Sequence, residues 1–101
     1  MSDLRHQDIL TVAGQQNPKP NTITSAATVA PTTFLSIIAG TVAIATITPP
    51  VSGAHMLCFV ATAAAPAAFL TTGNVATAVA MVQNVPTFLV FNPITGKYYG
   101  K

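Results

Sequence analysis

The stretch FLSIIAGTVAIATITPP, residues 34–50, decides the fold that we expect from this sequence. It is apolar and rich in β-branched residues, which favour strands. Gly40 interrupts the stretch and two prolines end it, because proline donates no hydrogen bond to a sheet. We therefore predict a central hairpin, with a strand over residues 34–38, a turn at Gly40 and a partner strand over residues 41–48.

Several further stretches have the same strand-like composition and are separated by turn signals. Within HMLCFVAT the alternation places Leu57 and Phe59 on one face and Met56, Cys58 and Val60 on the other, and both faces are apolar. Such two-faced strands are expected to be covered on both sides. Because no amphipathic helix of useful length is visible, the sequence predicts an all-β fold, a small antiparallel β-sandwich or barrel. The other predicted strands are residues 22–29, 75–82, 87–91 and 97–99, with a loop over 63–68 and a turn over 92–96.

Formal charge is confined to the two ends of the chain, and none occurs from residue 20 to residue 96. Ordinary domains carry about 25% charged residues. A monomer in which residues 20–96 carry no charge would expose large uncharged patches, which usually mark interaction surfaces. We therefore expect much of the surface to be buried, either between subunits or in lipid. The net charge of +2 without a basic cluster predicts no nucleic-acid partner.

A small membrane protein such as a holin is the alternative that the mean hydropathy of +0.56 suggests. The apolar stretch over residues 34–48 is shorter than the ~20 residues that a membrane-spanning helix needs. It also lacks flanking Lys or Arg and is rich in Thr, Val and Ile. We therefore expect no membrane partner.

The chain divides into an N-terminal arm and linker, residues 1–20, and a β domain, residues 21–101. The arm contains Leu4, Ile9 and Leu10 without a sustained helical or strand period. Pro18 and Pro20 favour extended geometry in the linker. Two interpretations stay open for the arm, a solvated tail or a docking segment that orders on a partner.

Residues that could support catalysis are sparse. The two carboxylates, Asp3 and Asp8, both lie in the arm, so the body has no acid pair and no acid to orient a histidine. His55 and Cys58 are three apart, which on a strand puts them on opposite faces. We expect no enzyme activity, no cofactor and no metal site, with Cys58 as a buried apolar residue.

His55 and the two tyrosines near the C-terminus have both a structural and a functional interpretation. His55 supplies one metal ligand per chain, so a site would need copies gathered on a threefold axis; a backbone-bonded structural histidine is the simpler interpretation. Tyr98 and Tyr99 could stack on a sugar or base, or could cap the core with their hydroxyls bonded at its edge.

Four strings of this sequence occur in an order that resembles a known family: TITSAATVAP at 22–31, GTVAIATITPP at 40–50, TTGNVA at 71–76 and FNPITGKYY at 91–99. The series resembles a small β domain on virion-surface proteins of tailed bacteriophages, found in capsid decoration (cement) proteins and in head-fibre or tail-fibre proteins. The closing turn is longer than the Asp-Gly type of that family, and Tyr98 stands where the family has Trp.

The resemblance implies a homotrimer on the capsid surface of the virion, assembled in the host cytoplasm, that clamps neighbouring major capsid proteins to stabilise the shell. The alternative is a head-fibre or tail-fibre tip module that binds a host-surface glycan. For the capsid contact we predict the arm residues Leu4, Arg5, His6, Ile9, Leu10 and Val12. For the trimer interface we predict residues of the apolar strands: Val42, Ile44, Leu57, Phe59, Val79, Phe88 and Val90.

Overall fold

The computed structural model of the protein describes residues 20–100, and this part of the chain forms nine strands and no helix. The all-β prediction is confirmed. Within the described range no helix is long and apolar enough to cross a membrane. The strands are β1 Asn21–Thr24, β2 Thr28–Val29, β3 Leu35–Ala39, β4 Thr46–Ile47, β5 His55–Ala61, β6 Ala68–Phe69, β7 Val79–Ala80, β8 Thr87–Asn92 and β9 Lys97–Gly100.

Five of these strands form the main sheet, in the order β1-β3-β5-β8-β9. The first three run parallel, with Ser36 opposite Asn21 on one side and opposite Phe59 on the other. β8 is antiparallel to β5, and β9 is antiparallel to β8. The sheet is therefore mixed, and the antiparallel architecture predicted from the sequence is wrong for its first three strands.

A second layer of short strands covers one face of the main sheet. β2 and β4 pair in parallel, β6 and β7 pair antiparallel, and a bridge between Ile44 and Phe69 joins the two pairs. The Asn74 side chain extends this layer, because its Oδ1 accepts from the Ile47 N–H at 2.8 Å and its Nδ2 donates to the Ile47 carbonyl. Asn74 therefore pairs with β4 much as a neighbouring strand would.

The core lies between the main sheet and the second layer. Phe59 from β5 and Phe69 from β6 meet there, with ring centroids 5.2 Å apart. Alternate residues of each main-sheet strand point into this space, which is why β8 reads buried-exposed-buried along Thr87–Asn92. The buried apolar cluster consists of Val29, Ile38, Ile44, Ile47, Leu57, Phe59, Ala61, Ala67, Phe69, Val75, Val79, Met81, Leu89, Phe91 and Tyr98.

The predicted central hairpin is wrong, because β3 and β4 belong to different layers. Gly40 does make a turn, with φ of +93°, but the turn carries the chain from the main sheet to the second layer. Ser25 fixes this corner: its N–H donates to the Ala39 carbonyl at 2.7 Å and its hydroxyl accepts from the Val42 N–H at 2.9 Å. The predicted turn at Gly40 is therefore confirmed, and the predicted pairing of residues 34–38 with residues 41–48 is wrong.

The other predicted strands meet different outcomes. The predicted strand over residues 22–29 divides into β1 and β2, which lie in different sheets. The predicted strand over 75–82 is reduced to β7 and a bridge at Val75. The 55–62 strand and the closing hairpin over 87–99 are confirmed, and Gly96 takes a positive φ of 69° in that hairpin. The predicted arm lies outside the described residues, except for Pro20.

Candidate interaction surface

The main sheet turns one face to the second layer, and no other strand lies over the opposite face within residues 20–100. The strand period of two sends alternate residues to this opposite face. Their side chains are almost all apolar. We call this surface the outer face and define it by Leu35, Ile37, Met56, Cys58, Val60, Phe88, Val90 and Tyr99.

The register of the strands arranges the outer face in rows across the sheet. Met56, Val90 and Tyr99 form one row across β5, β8 and β9. Their exposed fractions are 44%, 49% and 41%, which are large values for side chains of this size. A contiguous exposed apolar patch of this kind is typical of a surface that binds another apolar surface.

A second row contains Leu35, Cys58 and Phe88, with the cysteine in the middle. Phe88 is 48% exposed, whereas Cys58 is 5% exposed. Burial raises the pKa of the Cys58 thiol, so the thiol stays protonated and apolar at neutral pH. The centre of the outer face is therefore neutral as well as apolar.

Lys97 is the one formally charged side chain among residues 20–100. It lies at the start of β9, paired in register with Asn92 at the end of β8, and the alternation that puts Tyr99 on the outer face puts Lys97 at the margin of that face. The eight residues that define the outer face include no Asp, Glu, Lys, Arg or His. They therefore fit a partner surface that is itself apolar and uncharged.

The seven residues predicted for a trimer interface are distributed over three places. Phe88 and Val90 lie together on the outer face, and Val42 is exposed in the loop after Gly40. Four others fill the core of the chain itself and leave no surface for a second subunit: Ile44, Leu57, Phe59 and Val79. The residues predicted for capsid binding, from Leu4 to Val12, lie outside the described residues.

Sequence reasoning missed most of the outer face, although the signal was present. Alternation in β5 already separated Met56, Cys58 and Val60 from the other residues of the strand, but both sets are apolar. Nothing in the strand itself says which set faces the core. Tyr99 follows from the same alternation in β9, where Tyr98 is buried and Tyr99 is not.

On the opposite, inner face, three rings form a row across β5, β8 and β9. His55, Phe91 and Tyr98 are consecutive register partners, and the centroids of the Phe91 and Tyr98 rings are 4.8 Å apart. His55 stacks on Phe91 with a centroid separation of 4.9 Å. The row closes this end of the core.

Hydrogen bonds at both ring nitrogens hold His55 in this row. Its Nδ1 lies 2.7 Å from the Gly53 carbonyl oxygen, which can only accept, so Nδ1 carries the proton. Its Nε2 lies 2.8 Å from the Tyr98 hydroxyl oxygen, and in the neutral ring with the proton on Nδ1 it accepts from that hydroxyl. Tyr98 is fully buried, and this burial raises its pKa to about 12. The structural interpretations of His55 and Tyr98 are confirmed, and His55 and Cys58 do lie on opposite faces.

The described residues contain no group of three or more His, Cys, Asp or Glu side chains placed to hold a metal ion. The candidate interaction surface in residues 20–100 is the outer face. We find no protein-family model, curated protein or solved structure that matches the chain.

Proposed function

We propose that this chain is a capsid decoration (cement) protein of a tailed bacteriophage, a homotrimer that sits on the head and clamps neighbouring major capsid proteins. The observation that carries the proposal is the uncharged, apolar outer face of the main sheet. The assignment to a phage head and the number of three subunits come from the sequence strings that resemble virion-surface β domains.

Self-association through the outer face is favoured by the magnitude of the hydrophobic effect. Burial contributes roughly 25 cal/mol per Å² of apolar area, so about 1,000 Å² per chain gives on the order of 25 kcal/mol gross. Association costs an estimated 4–15 kcal/mol or more, and the ordering of side chains at the interface adds to that cost, so only the surplus over these costs contributes to affinity. A second copy of the chain presents the same uncharged surface, and this makes it a complementary partner.

The arm is the proposed contact with the shell. It contains four of the six charged residues of the chain: Asp3, Arg5, Asp8 and Lys19. Its apolar side chains can bury against the capsid, while its charges can form specific polar contacts there. The residues proposed for this contact are Leu4, Arg5, His6, Ile9, Leu10 and Val12.

Two measurements on the purified protein test the proposal. Light scattering after size-exclusion chromatography, in buffer without detergent, should give a mass near three times 10.4 kDa. Co-sedimentation with undecorated heads of the same phage should show saturable binding. Deletion of residues 2–17 should leave the trimer intact and abolish head binding.

Each measurement can contradict a different part of the proposal. A stable monomer would mean that water tolerates the outer face, and the argument for self-association would fail. A trimer that binds heads equally well without residues 2–17 would show that the arm is not the clamp.

The alternative function, a fibre-tip module for a host-surface glycan, is favoured by one observation, the exposed aromatic ring of Tyr99 on the outer face. An aromatic ring of this kind can stack on a sugar. A glycan array probed with the intact protein distinguishes the two functions. Binding that is lost in Tyr99→Ala, with the native mass unchanged, would favour the fibre-tip function.

A further inference from the structure

The two edges of the main sheet differ in whether another segment of the chain pairs with them. At the β9 edge, the Tyr98 N–H donates to the Asn74 carbonyl at 2.7 Å and the Ala76 N–H donates to the Tyr98 carbonyl at 2.8 Å. Residues 74–76 therefore cover that edge. At the other edge, β1 pairs with β3 on one side only, and within residues 20–100 no strand pairs with its second side.

An uncovered edge strand presents a row of N–H and C=O groups that can accept another extended chain. Proteins usually protect such an edge with lysine, proline or a bulge. β1 has the sequence NTIT, with neither a charge nor a proline, and it pairs with β3 over four consecutive residues without a bulge. The side chains of Thr22 and Thr24 are exposed. The edge is therefore open to pairing.

Symmetry favours a second copy of β1 as the strand that pairs with this edge. Head-to-tail pairing of β1 with β9 of another copy is blocked because residues 74–76 already occupy the β9 edge. Two β1 strands can instead pair antiparallel about a twofold axis, where each presents the same surface to the other. Such an axis brings each side chain close to its own copy or to a near neighbour, so a charge would repel itself. β1 has no charge.

We propose that β1 of one copy pairs antiparallel with β1 of a second copy, so that two main sheets join into one continuous sheet. The pairing itself needs no trimer; its consequence for the shell rests on the proposed function. A decoration trimer would present three such edges, and twofold contacts between them would link neighbouring trimers over the head. A strand of four residues makes a weak contact alone, and several contacts at once strengthen it.

The test measures native mass by light scattering over a wide range of protein concentration, with the full-length chain. Wild type should gain mass as concentration rises: a monomer, which presents one edge, would double, and a trimer, which presents three edges, would grow into larger assemblies. Thr22→Lys alone and Thr22→Glu alone should keep the mass of the unpaired species, because like charges meet at the axis. An equimolar mixture of the two variants should gain mass as wild type does, which also shows that both variants are folded. Thr71→Lys and Thr71→Glu, at an exposed position in the loop between β6 and β7, are the controls and should behave as wild type.

Three outcomes would overturn the pairing. The first is wild type that keeps one mass at every concentration. The second is a concentration-dependent gain in mass that survives in Thr22→Lys and Thr22→Glu. The third is a gain in mass that appears only after deletion of residues 2–17, which would mean that the chain's own arm occupies the edge. Thr22 pairs in register with Ile37 and so lies on the same face of the sheet as the outer face, which makes Val90→Glu, on β8, a second control. A gain in mass that is lost in the Thr22 variants and persists in Val90→Glu assigns the contact to β1, whereas equal loss in both assigns it to the outer face and overturns the pairing. A monomer that doubles to a dimer through β1 would support the pairing and refute the trimer, so the two proposals fail separately.

Discussion

At the scale of single residues, Ser36 is a polar side chain buried in an otherwise apolar core. It is fully buried on the inner face of β3, and its hydroxyl has no hydrogen-bond partner. A buried unsatisfied polar group costs about 1–3 kcal/mol. We therefore expect Ser36→Ala to raise the free energy of unfolding by about 1 kcal/mol, measured by urea denaturation at fixed protein concentration.

Ser25→Ala is the matched control for Ser36→Ala and should have the opposite sign. The Ser25 hydroxyl accepts a hydrogen bond from the Val42 N–H, and the side chain is buried, so its removal leaves that N–H without its partner. A loss of about 1 kcal/mol is expected. A loss of stability in both variants would show that the Ser36 hydroxyl is hydrogen-bonded in the folded chain.

Tyr98 should make the fold sensitive to alkaline pH. Its pKa is raised to about 12 by burial, whereas an unfolded tyrosine titrates near 10. Between about pH 10 and 12 the unfolded chain gives up this proton and the folded chain keeps it, so stability is complete below pH 10 and falls as pH rises. The loss should reach about 2 kcal/mol by pH 12.

Comparison with Tyr98→Phe isolates this effect, because the variant has no phenol to ionise. The raised pKa of Cys58 acts in the same direction in both proteins and cancels in the difference. The difference in unfolding free energy, wild type minus Tyr98→Phe, should fall by about 2 kcal/mol from pH 10 to pH 12. Parallel curves would show that Tyr98 does not ionise differently in the folded and unfolded chains.

At the scale of elements, the loop before Val75 passes so close to Ala45 and Thr46 that it leaves no space for a side chain at Gly73. A Cβ added at Gly73 would overlap the Ala45 carbonyl oxygen and the Thr46 hydroxyl, and the backbone carbonyl cannot move aside cheaply. Gly73→Ala should therefore lower the free energy of unfolding by about 2 kcal/mol or more. Gly53→Ala is the control, since a Cβ there has no atom within 4 Å. Equal effects of the two variants in thermal unfolding would contradict this packing.

Elements whose partners are near in sequence were predictable, and elements with distant partners were not. The closing hairpin follows from a proline-containing turn and Gly96, and the structure has it as β8 and β9. The parallel pairing of β1, β3 and β5 has no local signature, because the chain between those strands crosses to the second layer. Residues 41–48 look like a strand throughout, yet they form only β4 and the Ile44 bridge. The alternation in β5 separates its residues into two faces, but both faces are apolar, so the sequence does not say which one faces the core.

At the scale of the whole molecule, the absence of charge and the outer face point to one consequence. Composition alone shows that residues 20–96 carry no formal charge, and it predicts that much of their surface is buried or binds a partner, but it does not say which residues do so. In the structure, some of these uncharged residues form the core, and others form an exposed sheet face that contains Met56, Phe88, Val90 and Tyr99. The arm, and with it the predicted capsid contact, lies outside the described residues.

A charge placed on the outer face should therefore disrupt assembly without disrupting the fold. Val90 is about half exposed at the centre of a cross-strand row, so Val90→Glu should leave the unfolding of the isolated chain nearly unchanged. In a trimer that buries this face, three carboxylates would lose water close to one another. Because each 1.4 kcal/mol weakens association tenfold, we expect at least a tenfold shift of the assembly midpoint to higher concentration, followed by light scattering.

Ile94→Glu is the matched control, since Ile94 is 92% exposed in the β8–β9 turn and lies off the outer face. Assembly that is weakened equally by both variants would place the subunit contact elsewhere, and assembly weakened by neither would leave the outer face free for a partner other than a second copy.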